Sequence, residues 1–331
     1  MRSIADVSRP LTLDLDKPRG FSLQAAADFY AGFVPGSGMA IAATDCLTLA
    51  FRLEQSFEAV AVQLRETRDG IFAHVAGTHD AERVAKQVAR MLGLEADGEA
   101  WLEVGRRDPV VGRLQREFPG FFTAAKASPY DAAAWGVISP RLNQRAAAKL
   151  KLEMCERAGE RVELLGRAHS VFPSPTALLA LRSFPGLPAV KLERLHGIAR
   201  AALAGKLDAE RLRAMPIELA LAELQQLPGV GPWTASHILF RGAALRDAVP
   251  TVEPRLLHGL ATAYGLAAPS VEKLQELAEG WRPFRMWVCV LLARHLAHVG
   301  GWHMPGLVAE RAALSRKVAS TRQQAYVRST G

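Results

Sequence analysis

Hydrophobic and polar positions divide the 331-residue chain into two regimes. In the first third they alternate. Leu47, Leu49, Phe51 and Leu53 occupy every second position, as do Val60, Val62 and Leu64, and then Ile71, Ala73 and Val75. A period of two places such side chains on one face of a pleated strand. Turn-forming stretches such as Arg68-Asp69-Gly70 separate the runs. The pattern predicts three antiparallel strands with one buried face. Val84, Val88, Met91 and Leu92 then recur at helical spacing, with Gly93 as the stop. The expectation is a small sheet-plus-helix unit over residues 1–118, closing at Phe118-Pro119-Gly120.

Beyond that point the spacing is helical. Apolar residues recur at three and four positions over 143–158, 189–204, 216–226, 232–241, 254–264, 270–279 and 284–298, each read as a helix. The prolines of the stretch Val171–Leu178, VFPSPTAL, are expected to break the helical run, because each removes an amide donor. Lys149 and Lys151 are read as a solvated helix face. The fold class predicted is α+β: a small antiparallel sheet-plus-helix domain, an all-α region over 119–306 in two lobes, and a tail over 307–331.

Composition changes this picture little. Hydrophobic residues make up 49% and charged residues 22%, an ordinary globular balance. No apolar run approaches the ~18 residues needed to span a bilayer, and the first residues lack a signal-peptide core. A cytoplasmic, monomeric protein with no membrane contact is expected. Cys46, Cys155 and Cys289 lie far apart, too scattered for a disulfide framework or a cysteine cluster site. Of His295, His298 and His303, the first two share a helix face, but Cys289, six residues before His295, points elsewhere on that helix, so no metal is predicted.

Charge is more informative. The formal net charge is +8, which suggests nucleic acid. Residues 281–331 carry eight basic side chains against one acid, Glu310, whereas residues 221–280 carry four basic and six acidic ones. The basic excess is therefore C-terminal.

The most informative string lies in the segment without that excess. Leu224–Arg241 reads LQQLPGVGPWTASHILFR. One helix runs into Leu227-Pro228-Gly229-Val230-Gly231, and a second begins at Pro232, where proline is pre-set for a first turn. Two glycines permit positive φ and close approach of another backbone. The helix N-terminal amides beside them form a site for a phosphate oxygen. Val230 is expected to pack inward and fix the turn. Leu227, Gly229, Val230, Gly231 and Thr234 are the candidate DNA contacts, made by main-chain groups without sequence readout.

This string is the helix-hairpin-helix signature, and the chain resembles the alkylation-repair DNA glycosylases of the AlkA type. FPSPTAL, RDAVPTVEPRLL and WRPFRMW resemble further family motifs in the same order. The resemblance implies a cleft between helical lobes, duplex DNA with a damaged base as partner, base flipping, and hydrolysis of the N-glycosidic bond. It implies no cofactor, with a monovalent cation at the hairpin as the one addition. It also implies a nucleoid-associated protein.

The family's catalytic acid is an Asp in a D-x-x-P-x-x-D pattern. Read onto this chain the positions are Asp247, Pro250 and Glu253, so a Glu stands at the catalytic place. Its carboxylate would stabilise oxocarbenium charge on the sugar. Asp247 is the alternative acid, with a structural role such as pairing with an Arg. The change of acid keeps a second reading open: a weakly active or inactive relative that binds damaged or bent DNA. The position where some relatives carry a Schiff-base lysine is Ala222, which implies a monofunctional hydrolase. For the base pocket the resemblance nominates Trp233 and His237, with Trp287 as a substitute wall because the family's late tryptophan falls on Ala293. The wedge that fills the gap left by the flipped base falls near Ser139-Pro140-Arg141-Leu142, on Arg141 or Leu142.

Overall fold

A computed structural model describes residues 11–32, 40–43, 46–122 and 125–300. The tail over 307–331 and His303 lie outside the described residues.

The predicted strands are the centre of a five-stranded antiparallel sheet. They are β3 (Cys46–Arg52), β4 (Ala59–Glu66) and β5 (Gly70–Ala76). Two edge strands beyond the three predicted join them, β1 (Leu11–Asp16) and β2 (Ala40–Ala43), in the order β1-β5-β4-β3-β2. β1, LTLDLD, also alternates, with Leu11 and Leu13 half-buried and Leu15 buried. Register pairs Leu47 with Leu64, Leu49 with Val62 and Phe51 with Val60, which gathers the large apolar side chains on one face.

The opposite face is buried too, contrary to expectation. Ala50, Ala59, Ala61 and Ala76 make it flat, and Val162, Leu164 and Val171 cover it. These three belong to a hairpin, β6 (Glu160–Leu164) and β7 (Arg167–Val171), so the second region is not all-α. Leu165 and Gly166 both take positive φ, the geometry of a tight two-residue hairpin turn.

Helices α1 (Leu23–Gly32), α2 (Ala81–Leu92), α3 (Gly98–Arg107) and α4 (Pro109–Glu117) complete the N-terminal part. Asp80 caps α2 and Gly93 closes it in the left-handed conformation. There follow α5 (Pro129–Ile138), α6 (Gln144–Ala158), α7 (Pro175–Ala180), α8 (Ala189–Leu203), α9 (Ala209–Ala214) and α10 (Ile217–Gln225). The last group is α11 (Pro232–His237), α12 (Pro254–Tyr264), α13 (Val271–Glu279) and α14 (Arg285–His298). The prolines at 173 and 175 act unequally: Pro175 starts α7, with Ser174 as its cap. A π-helical turn, Ile238–Gly242, continues α11. No helix among the described residues is long and apolar enough to cross a membrane.

One core runs through both parts of the chain. Trp101 of α3 and Phe122 pack on Trp287 at ring-centroid distances of 5.3 and 5.0 Å. Lys151 corrects the solvated-face reading. It is 2% exposed, and its Nζ donates to Asp131 of α5 across 2.5 Å. Lys126, 0% exposed, stands 3.3 Å from the other oxygen of the same carboxylate.

Candidate active site

The hairpin is built as the glycines require. The Val230 amide donates to the Leu227 carbonyl across 3.0 Å, and Gly229 takes φ +82°. Val230 is buried and anchors the turn, while Gly229 and Gly231 are exposed. Gly231 caps α11 without a side chain, so the first amides of that helix keep their donors beside the turn. The turn carries no acidic side chain; a cation there would have main-chain carbonyls alone as ligands. Thr234 points the other way from a DNA contact. It is buried, and a Cβ at Gly136 would come within 2.3 Å of its methyl, so it fastens α11 to α5.

Helix α8 supplies what a charge count along the chain could not. Pro228 packs on Gly197, and a Cβ on Gly229 would meet the Arg194 Cδ at 2.5 Å. Arg194 therefore lies along the hairpin, which gives that turn a cation from a distant segment. The Gly136–Thr234 approach also places the end of α5, and the loop after it, close to the hairpin. That loop, Ser139–Asn143, carries exposed Arg141 in the left-handed conformation at φ +63° and exposed Leu142.

Glu253 caps α12. One carboxylate oxygen accepts from the Arg255 amide at 3.2 Å and from the Arg255 Nε at 2.6 Å. The other accepts from Arg255 Nη2 at 2.8 Å and from the Trp233 indole Nε1 at 3.0 Å. The longer side chain of Glu thus still makes a cap, although Asp is the preferred residue there. Burial pushes this carboxyl up. The Arg255 guanidinium, the indole donor and the Arg255 amide outweigh it and hold the carboxyl below its ordinary range. The side chain is 15% exposed and ionised, the state required to stabilise a developing cation.

Trp233 also stacks on His237, with ring centroids 5.1 Å apart and planes 7° from parallel. Burial, together with the Lys126 and Arg241 charges, holds the His237 imidazole well below its ordinary range. It is neutral at pH 7. Glu253, Trp233 and His237 therefore form one constellation. Trp287 does not join it: at 2% exposure it sits in the core among Trp101, Phe122 and Phe284. These three neighbours come from three separate segments, which no local pattern reveals.

Asp247 has a different setting. It accepts from Arg282 Nη1 at 2.9 Å and from Arg285 Nε at 2.6 Å, and its carbonyl accepts from Arg285 Nη2. It ties the loop before α12 to the start of α14. His295 pairs with Glu117 at 2.8 Å, and Cys289 is buried. Among the described residues no group of three or more His, Cys, Asp or Glu side chains could hold a metal ion.

No family model matches the chain. A DNA-3-methyladenine glycosylase of Bacillus subtilis is 26% identical over 224 residues, which cover 65% of this chain and 73% of that protein. DNA-3-methyladenine glycosylase 2 of Escherichia coli is 26% identical over 199 residues, covering 58% and 65% respectively. Among solved structures, a 3-methyladenine DNA glycosylase from Archaeoglobus fulgidus superposes with a TM-score of 0.70 at 23% identity, over 86% of this chain and 97% of that one. The chain is a homologue of proteins named DNA-3-methyladenine glycosylase, and its fold is that of the helix-hairpin-helix DNA glycosylases.

Proposed function

We propose that the chain is a monofunctional DNA glycosylase that flips an alkylated base out of duplex DNA and hydrolyses its N-glycosidic bond. The observation that carries this reading is the Glu253 carboxylate, ionised at the start of α12 and hydrogen-bonded to the Trp233 indole in the first turn after the hairpin. The hairpin amides and Arg194 hold the phosphate backbone, and the Arg141–Leu142 loop enters the space the base leaves. The flipped base stacks near the Trp233–His237 pair. A neutral His237 adds no positive charge to that wall, which favours a cationic base on the indole face.

As the glycosidic bond breaks, positive charge builds on the sugar, and the Glu253 carboxylate stabilises it. Water then adds to the sugar C1′, and the proton it loses passes through the Glu253 carboxylate to solvent. The departing base takes the bonding electron pair, and no cofactor is needed. The Glu253–Trp233–His237 constellation carries no amine for a Schiff base, so the product is an intact abasic strand. The protein acts as a monomer in the cytoplasm, with chromosomal DNA as its partner.

A base-release assay over duplexes carrying alkylated, deaminated or oxidised bases tests this. Release of free alkylated base without strand cleavage is expected. Release confined to oxidised bases, or strand cleavage by the protein itself, contradicts the proposal.

A further inference from the structure

Lys191 is 9% exposed, and burying an ammonium costs several kcal/mol unless it is compensated. Its compensation comes from two main-chain carbonyls. The Nζ donates to Ile138 O across 2.6 Å and to Pro140 O across 2.7 Å. Ile138 ends α5, and Pro140 lies in the loop that carries Arg141 and Leu142. One cation thus clamps the last turn of the helix to the loop beyond it.

The same helix face touches the hairpin. Lys191, Arg194 and Gly197 are spaced three residues apart on α8, so they lie on one side. Arg194 meets Gly229 and Gly197 meets Pro228. Burial, with the nearby Arg141 and Arg194 charges, lowers the Lys191 pKa, which places all three cations in one neighbourhood. Two hydrogen bonds within the loop, Ser139 N to Trp135 O and Leu142 N to Ser139 O, hold its ends. Neither reaches the hairpin.

We propose that Lys191 is a positioning residue, which sets the Arg141–Leu142 loop at a fixed distance from the hairpin so that the loop enters the duplex while the hairpin holds the backbone. The inference rests on the DNA-glycosylase reading for the loop's entry into DNA, and its test does not require base release.

The probe is a duplex with a tetrahydrofuran abasic analogue beside 2-aminopurine, whose fluorescence rises when the stack is opened. Wild-type protein, Lys191→Met, the loop variant Arg141→Ala/Leu142→Ala, and their combination form a double-mutant cycle. The wild-type protein raises the fluorescence. Lys191→Met loses about fivefold of that rise, as the loop variant does, and the combination is no worse than the loop variant alone. Affinity of Lys191→Met for an undamaged duplex stays within about twofold, because the hairpin is untouched. Should Lys191→Met fail to fold, Lys191→Gln, which keeps one donor group, takes its place in the cycle. A full signal from the Lys191 variant overturns the proposal. So do multiplying losses in the combination, a parallel loss of undamaged-duplex affinity, or no signal from the wild-type protein. Free-base release is scored separately and reports on the glycosylase reading alone.

Discussion

The Trp233 indole Nε1 donates to the Glu253 carboxylate across 3.0 Å, which joins the first turn after the hairpin to the first turn of α12. The bond spans the loop from Ala243 to Val252 and makes the acid's position depend on the hairpin's. Phe at 233 keeps an aromatic wall and removes the donor. A hydrogen bond to a charged group contributes about 1.5–3 kcal/mol, so Trp233→Phe is expected to slow single-turnover base release by about 10- to 100-fold. Duplex affinity should change little. An unchanged rate would reduce Trp233 to a stacking surface.

The pH dependence follows from the charges around Glu253. Burial raises its pKa, but Arg255 and Trp233 bring it below the ordinary value. The ionised form is therefore retained below the usual glutamate pKa of about 4.3, and the acid limb of base release should lie under that value. In Arg255→Met burial loses its main opponent, and the limb should move up. A rate profile on acid-stable lesion DNA measures both. An identical limb in the variant would mean that Glu253 does not govern the rate.

The buried cations make a stability prediction. Asp131 lies between Lys126 and Lys151, and Asp131→Asn leaves both without their anion. Removing one partner of a buried pair costs about 3–5 kcal/mol, readable by urea unfolding. Burial, opposed by Asp131 and aided by Lys151, brings the Lys126 pKa down to about 7. In the unfolded chain it is about 10.4. Below pH 7 both states carry the proton; between the two values the unfolded state alone does. Stability from this group is therefore gained as pH rises through that window. Lys126→Met should flatten the rise between pH 7 and 9, and an equal rise in the variant would contradict the assignment.

Much of this was legible because its cause is local. Pro232 and Pro254 mark the starts of α11 and α12, and the glycines of LPGVG demand the turn that is seen. What was missed has non-local causes. Lys151 looks solvated until Asp131, twenty residues earlier, is placed beside it. Arg194 reaches the hairpin only through the packing of α8, so the count of charges along 221–280 understated the cation there. The β6–β7 hairpin turns on Leu165 at φ +51°, a residue that does not announce a left-handed turn, and it buries against a row of alanines. Trp287 resembles a pocket wall in sequence because its aromatic contacts with Trp101, Phe122 and Phe284 are invisible there.

The C-terminal charge calls for its own test. Residues 307–331 hold Arg311, Arg316, Lys317, Arg322 and Arg328 against Glu310 alone. Each phosphate neutralised steepens the salt dependence of duplex binding by about 0.9 in log–log slope. Deleting 307–331 should make the slope shallower and leave base release intact. An unchanged slope would remove this segment from the DNA contact.

The central claim is that Glu253 carries the chemistry, and Glu253→Gln tests it most directly. The substitution keeps the side chain's length and removes its charge. Measured together on one alkylated duplex, free-base release should fall by about 100-fold or more, while affinity for the abasic-analogue duplex stays within a few-fold. Release at the wild-type rate by Glu253→Gln would contradict the account.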